Sequence, residues 1–369
     1  MLSMEPSIKR GLTFWDRALM SRDEFFERVR LVREEMQKMG LDALVVSGNM
    51  YEDADLLYLV GGAVDGTLVL TLDGDPSIFT ASGSRESFFL REQTWLDDVS
   101  YRGGLVGSSV RQGLMDRKVS SGRVGTVGLQ VLPARPYRDL VDALVGYELV
   151  DFTAAMLSVR SKLRPRELTA ARIALGMAEQ VAAAAETAFA NGASNAAAVI
   201  EAERVARLAG AWDFRALANL GSDDLRPYDR PSDERRGSLK LWVATRYQGY
   251  WTDQVVDTAG GKGGEAREAV DAMVNACRTG VSAAAVAKAG LSVLSESARK
   301  SALAYGLGRT IGIELNGLPK IAPNDETPIA EGTLLSFHVF ARGDKETSFA
   351  GATVQVGHHS AAPLTSLTR

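Results

Sequence analysis

The stretch 239–258, read L-K-L-W-V-A-T-R-Y-Q-G-Y-W-T-D-Q-V-V-D-T, constrains the fold more than any other, because it puts a carboxylate inside an otherwise apolar strand. Apolar and β-branched residues dominate 239–244 and 251–256, and a turn glycine, Gly249, lies between them, so the spacing predicts a β-hairpin. Asp253 then falls mid-strand. An ionised carboxylate is costly to bury alone, so Asp253 needs a hydrogen-bonding partner, water or a cation. Asp257 shares its strand face, but strand rise separates the two acids by roughly 13 Å, too far for paired acid–base work. Asp257 is therefore expected at the surface.

Ahead of the hairpin, Ser21-Arg22-Asp23-Glu24 has capping-box spacing, and Phe25, Val29, Val32 and Met36 mark one helical face that ends at Gly40. Strands are expected at 43–46, 67–72, 77–81, 123–129 and 147–152, with a helix after Pro136. This alternation describes a small α/β domain. From Arg164 alanine-rich helices take over at 166–190 and 194–208, and a second helix pair, 265–278 and 282–304, follows the hairpin. The expected division is an N-terminal arm at 1–20, an α/β domain at 21–157 and a second domain at 158–369, with an α/β (α+β) fold overall.

Lys and Arg number 42 against 46 Asp and Glu, a net charge of -4 that argues against a general nucleic-acid binder. No run of apolar residues is long enough for a membrane span or a signal peptide, so the protein is expected in the cytoplasm with small-molecule partners. The one cysteine, Cys277, sits at helical spacing with Ala266, Val270, Met273 and Val274 and reads as core. Gly306-x-Gly308 with Gly312 lacks dinucleotide-loop spacing.

The hairpin, with Gly249-Tyr250 at its turn and Asp253 beyond, resembles the metal-binding hairpin of the aminopeptidase, prolidase and creatinase superfamily. The resemblance continues in L-R-P-R-E-L-T-A-A-R near residue 163, in the glycine-rich 305–317, in G-T-L-L-S-F-H-V at 332–339 and in the strand at 349–356. It implies a creatinase-type N-terminal domain followed by a pita-bread catalytic-like domain, and a homodimer. Carried over position by position, the superfamily's five metal ligands read Trp242, Asp253, Arg309, His338 and Gly351. Only the Asp is kept, so neither a metal nor another cofactor is expected.

What stands there instead is a guanidinium, an imidazole and a lone acid. A guanidinium binds carboxylates in two-point geometry, and an imidazole titrates near neutrality. His338, Asp253 and Arg309 are thus the candidate catalytic groups, with Arg309, Trp242, Asn316, Tyr228 and Tyr250 as candidate substrate contacts. The expectation is a metal-independent enzyme performing hydrolysis, elimination or cyclisation on a small carbon–nitrogen compound. The alternatives are a catalytically silent binding or scaffold protein, in which Asp253 and Arg309 form a structural ion pair and Trp242 plugs the former metal cavity, and a conventional metallo-aminopeptidase.

Overall fold

The structure is a computed structural model that describes residues 13–49, 54–80, 84–102, 106–228, 232–259, 264–343 and 346–367. The expected N-terminal arm thus lies, up to residue 12, outside the described residues. The chain forms two compact units, one built on 13–161 and one on 162–369.

The first unit runs α1 (Arg22–Lys38), β1 (Ala43–Gly48), α2 (Ala54–Val60), β2 (Gly66–Thr71), β3 (Ser77–Thr80), α3 (Ser84–Gln93), β4 (Asp98–Ser100), α4 (Val106–Asp116), β5 (Gly122–Val127), α5 (Ala134–Ala143), β6 (Tyr147–Asp151) and α6 (Thr153–Ser161). Its sheet has the order β4-β3-β2-β1-β5-β6, with β1 antiparallel to β2 and parallel to β5. Phe25, Val29, Val32 and Met36 are buried on α1, as their spacing requires. The expected capping box does not form, because the Ser21 side chain makes no cap hydrogen bond. Pro136 falls inside the first turn of α5, where its missing N–H leaves no intrahelical bond unmade.

The second unit opens with α7 (Pro165–Ala190), capped by Glu167, whose carboxylate accepts from the Arg164 N–H at 2.7 Å. It continues with α8 (Asn195–Leu208), β7 (Asp213–Asn219), β8 (Leu225–Pro227), β9 (Lys240–Tyr247) and β10 (Tyr250–Asp257). After α9 (Glu265–Ala276), α10 (Ala283–Ser292) and α11 (Glu296–Tyr305) come β11 (Gly308–Thr310), β12 (Gly317–Lys320), β13 (Leu334–Arg342), β14 (Thr347–Val356) and β15 (Ala361–Pro363). The single helix expected at 282–304 is two, because Ser295 caps a fresh start for α11. Gln248 and Gly249 both have positive φ, the turn that a two-residue hairpin loop favours.

The strands make two sheets, β10-β9-β7-β8 and β12-β11-β13-β14-β15, with β10 packed on β13 and β14. Helices α9 to α11 cover the second sheet through Val270, Met273, Phe337 and Val354. Cys277 belongs to that core, and burial pushes its thiol up to about 11. Asp257 is not at the surface: it is 6% exposed, 3.3 Å from Lys240 Nζ, and accepts the Phe349 N–H at 2.9 Å. Cross-strand pairing explains the difference, since Lys240 stands directly opposite Asp257 in the hairpin.

Candidate functional site

The acid in the hairpin finds its partners on both sheets. On its own sheet, Trp242 Nε1 donates to Asp253 Oδ2 at 2.8 Å. From the facing sheet Ser336 Oγ donates to the same oxygen and Thr353 Oγ1 donates to Oδ1 at 2.9 Å. Arg309 Nη2 lies 3.6 Å from Oδ2, and the carboxylate is 5% exposed. Three neutral donors, rather than a cation in direct contact, therefore carry the burial of this acid. Ser336 and Thr353 had a signal in the sequence: each lies two residues from a position that the superfamily resemblance aligns with a metal ligand, His338 and Gly351, and so shares its strand face.

Arg309 extends from β11 with Nε donating to the Leu315 carbonyl at 2.7 Å and its guanidinium 5.2 Å from the Trp242 ring centroid. Nη1 is 3.5 Å from His338 Nδ1. Burial pulls the guanidinium below its usual value and Asp253 offsets part of that, but the group remains a cation at neutral pH. His338 is lowered to about 4, first by burial and then by the facing Arg309, with Asp253 opposing. At neutral pH it is the uncharged imidazole. Its Nδ1 faces the Arg309 Nη1 donor at 3.5 Å, an arrangement that suits the tautomer with its proton on Nε2.

Between the two sheets opens a cavity of about 250 Å³. Leu217, Leu225, Leu315 and Phe349 supply apolar walls, Trp242 and Tyr305 aromatic ones, and Arg309, Asn316 and His338 the polar groups. The structure thus brings together four of the expected site residues, Arg309, His338, Trp242 and Asn316, around one space. Asp253 sits behind Trp242 and does not line it. Two expected substrate contacts are not among the residues that line this cavity. The Tyr250 hydroxyl is buried on Glu167 Oε1 at 2.7 Å, and Tyr228 is 40% exposed away from the cavity lining. Asn316 accepts from Lys320 Nζ through its main-chain carbonyl at 3.0 Å and through its side chain.

These residues do not fit a metal centre. Among the described residues no three or more His, Cys, Asp or Glu group around a common point that could hold an ion. A Cβ at Gly351 would lie 2.6 Å from Val255 Cγ2 and 3.0 Å from the Phe337 carbonyl, so a side chain there requires Val255 to shift. Two cations, Arg309 and Lys320, crowd the same end, and their mutual repulsion helps lower Lys320 after burial has done most of it.

Residues 28–162 match the creatinase/prolidase N-terminal domain and residues 169–359 match metallopeptidase family M24. No curated protein sequence matches this chain. Among solved structures it is similar to an X-Pro aminopeptidase from Thermotoga maritima, with a TM-score of 0.76 and 15% identity over 92% of this chain and 98% of that one. A prolidase from Pyrococcus horikoshii gives 0.71 and 18% over 93% and 99%, and the N-terminal domain of the FACT complex subunit SPT16 from chickpea, Cicer arietinum, gives 0.65 and 16% over 95% and 97%. At such identities these likenesses speak for the fold.

Proposed function

This chain belongs to metallopeptidase family M24, and we propose that it is a member working without a metal, on a small carboxylate-bearing compound with an apolar body. The observation that carries this is Arg309. It is a guanidinium 13% exposed, its Nη2 stands 3.6 Å from Asp253 Oδ2, among the described residues its terminal nitrogens show no hydrogen bond to an oxygen, and it borders a cavity whose other walls are mostly apolar. Its Nη groups retain hydrogens for a ligand oxygen, and two-point binding of a carboxylate is what a guanidinium does best. The reacting bond, by analogy with the X-Pro aminopeptidase and prolidase of similar fold, is a carbon–nitrogen one.

Within that reading the proton falls to His338. While Arg309 faces Nδ1, the imidazole holds no proton there and cannot gain one readily. A ligand carboxylate that draws the guanidinium to itself leaves Nδ1 free and adds a negative charge nearby, and both changes favour proton uptake. Asp253 has no such freedom, since Trp242, Ser336 and Thr353 occupy its oxygens. Its role is to hold the back wall. That same saturation favours a second reading, a binding protein without turnover.

A panel of N-acyl and N-carbamoyl amino acids, incubated with the protein in excess EDTA, separates these. The expected outcome is turnover that survives the chelator and is lost in His338→Gln, with affinity lost in Arg309→Met. Binding without turnover would select the second reading. Turnover that requires added manganese, cobalt or zinc would refute both.

A further inference from the structure

The cavity's two sheets are joined at the back by β10 and the Asp253 hydrogen bonds, and at the rim by a cluster of Tyr305, Asp224 and Arg342. Tyr305, the last residue of α11, contributes its ring to the cavity wall. Its hydroxyl accepts the Leu225 N–H at 3.1 Å and donates to Asp224 Oδ1 at 3.0 Å. Arg342 Nη2 in turn donates to Asp224 Oδ1 at 2.8 Å. Leu225 begins β8, the edge strand of the first sheet, whereas Arg342 ends β13 of the second. The outward N–H of an edge strand has no ladder partner, and Tyr305 supplies one from across the gap.

From this arrangement we infer that Tyr305 is the positioning residue that sets how wide the cavity opens, and so the size of the ligand it admits, by clasping Leu225 of the edge strand to the opposite sheet. The inference rests on the reading of this cavity as a carboxylate site. Its physical basis is that Leu225 is both a wall of the cavity and the residue whose backbone the clasp holds. Without the hydroxyl, Leu225 keeps its ladder to Asn219 but loses its tie across the opening. The clasp is also ionic and exposed, with Asp224 and Arg342 side chains 55% and 47% exposed, whereas the back wall is buried and neutral.

The test uses the full chain and two variants, Tyr305→Phe, which keeps the ring and removes the hydroxyl, and Arg342→Met, which frees Asp224. Amide hydrogen exchange at Leu225 needs no ligand, and loss of one hydrogen bond is expected to speed it roughly five- to tenfold in Tyr305→Phe, with β9 amides unchanged. A smaller acceleration is expected in Arg342→Met. Phenylacetate and 2-naphthylacetate serve as a smaller and a larger carboxylate probe. The wild type is expected to favour phenylacetate, and Tyr305→Phe to narrow that ratio by raising the affinity for the larger probe. Unchanged Leu225 exchange in Tyr305→Phe overturns the clasp, and faster exchange with an unchanged affinity ratio overturns its control of ligand size. If exchange accelerates but neither carboxylate binds the wild type, the carboxylate reading has failed and size selection falls with it, while the clasp itself stands as measured.

Discussion

Asp253, at the back of the cavity, is 5% exposed and takes hydrogen bonds from Trp242, Ser336 and Thr353, whereas Asp224, on the rim of the same sheet, is 55% exposed and held by Arg342 and Tyr305. Both are single carboxylates joining the two sheets of the second unit. They differ in what surrounds the charge. Neutral donors in a dry setting fix geometry and are costly to remove, while an exposed ion pair is screened by salt and contributes little net stability. The contrast suggests a cavity with a fixed back and an adjustable mouth.

Deleting the buried acid should give the largest effect. Asp253→Ala strands Trp242 Nε1, the Ser336 and Thr353 hydroxyls and the Arg309 charge, and a loss of about 3–5 kcal/mol in urea unfolding is expected. A loss below that of an exposed pair would mean that water replaces the carboxylate and that the back is not dry.

Acid should come next. The His338 imidazole, lowered to about 4 from an ordinary value of 6.5, binds its proton more weakly folded than unfolded. The unfolded chain therefore takes up the proton first as pH falls, so stability should drop between those two values, by an amount on the order of 3 kcal/mol, and level off below. His338→Gln should flatten that part of the profile. Asp224, held below the usual carboxylate range by hydrogen bonds from Arg342 and Tyr305, acts only at still lower pH, where its protonation should release the rim.

Trp242→Phe keeps a ring against Arg309 and removes one donor to Asp253, with about 1–3 kcal/mol expected to be lost, independent of salt. Arg342→Met should change stability by about 1 kcal/mol or less, and high salt should erase the difference. A salt-sensitive Trp242→Phe effect or a salt-insensitive Arg342→Met effect would collapse the distinction between back and rim.

Much of this could be read from the residues. The hairpin turn at Gln248-Gly249, the buried stripe of α1 and the core position of Cys277 follow from spacing and composition, because local period and burial go together there. The association of Arg309, His338 and Trp242 also follows, once the superfamily resemblance aligns their strands. What the residues hid was pairing across sequence distance. Ser336 and Thr353 are unremarkable hydroxyls until β10 lies against β13 and β14, and Asp257 looks exposed until Lys240 is opposite it. Tyr305 joins Leu225 across 80 positions, and no periodicity carries that information. Val255 in the space that a side chain at position 351 would need is likewise a matter of packing between sheets.

The most direct measurement is the metal content of the protein purified from metal-replete growth, taken together with its thermal midpoint before and after exhaustive chelation. The expected result is manganese, cobalt, zinc and iron far below one per chain and a midpoint that chelator and added metal leave in place. About two ions per chain, with a midpoint that falls on chelation and recovers on metal addition, would contradict the assignment of Trp242, Asp253, Arg309 and His338 to a metal-free site.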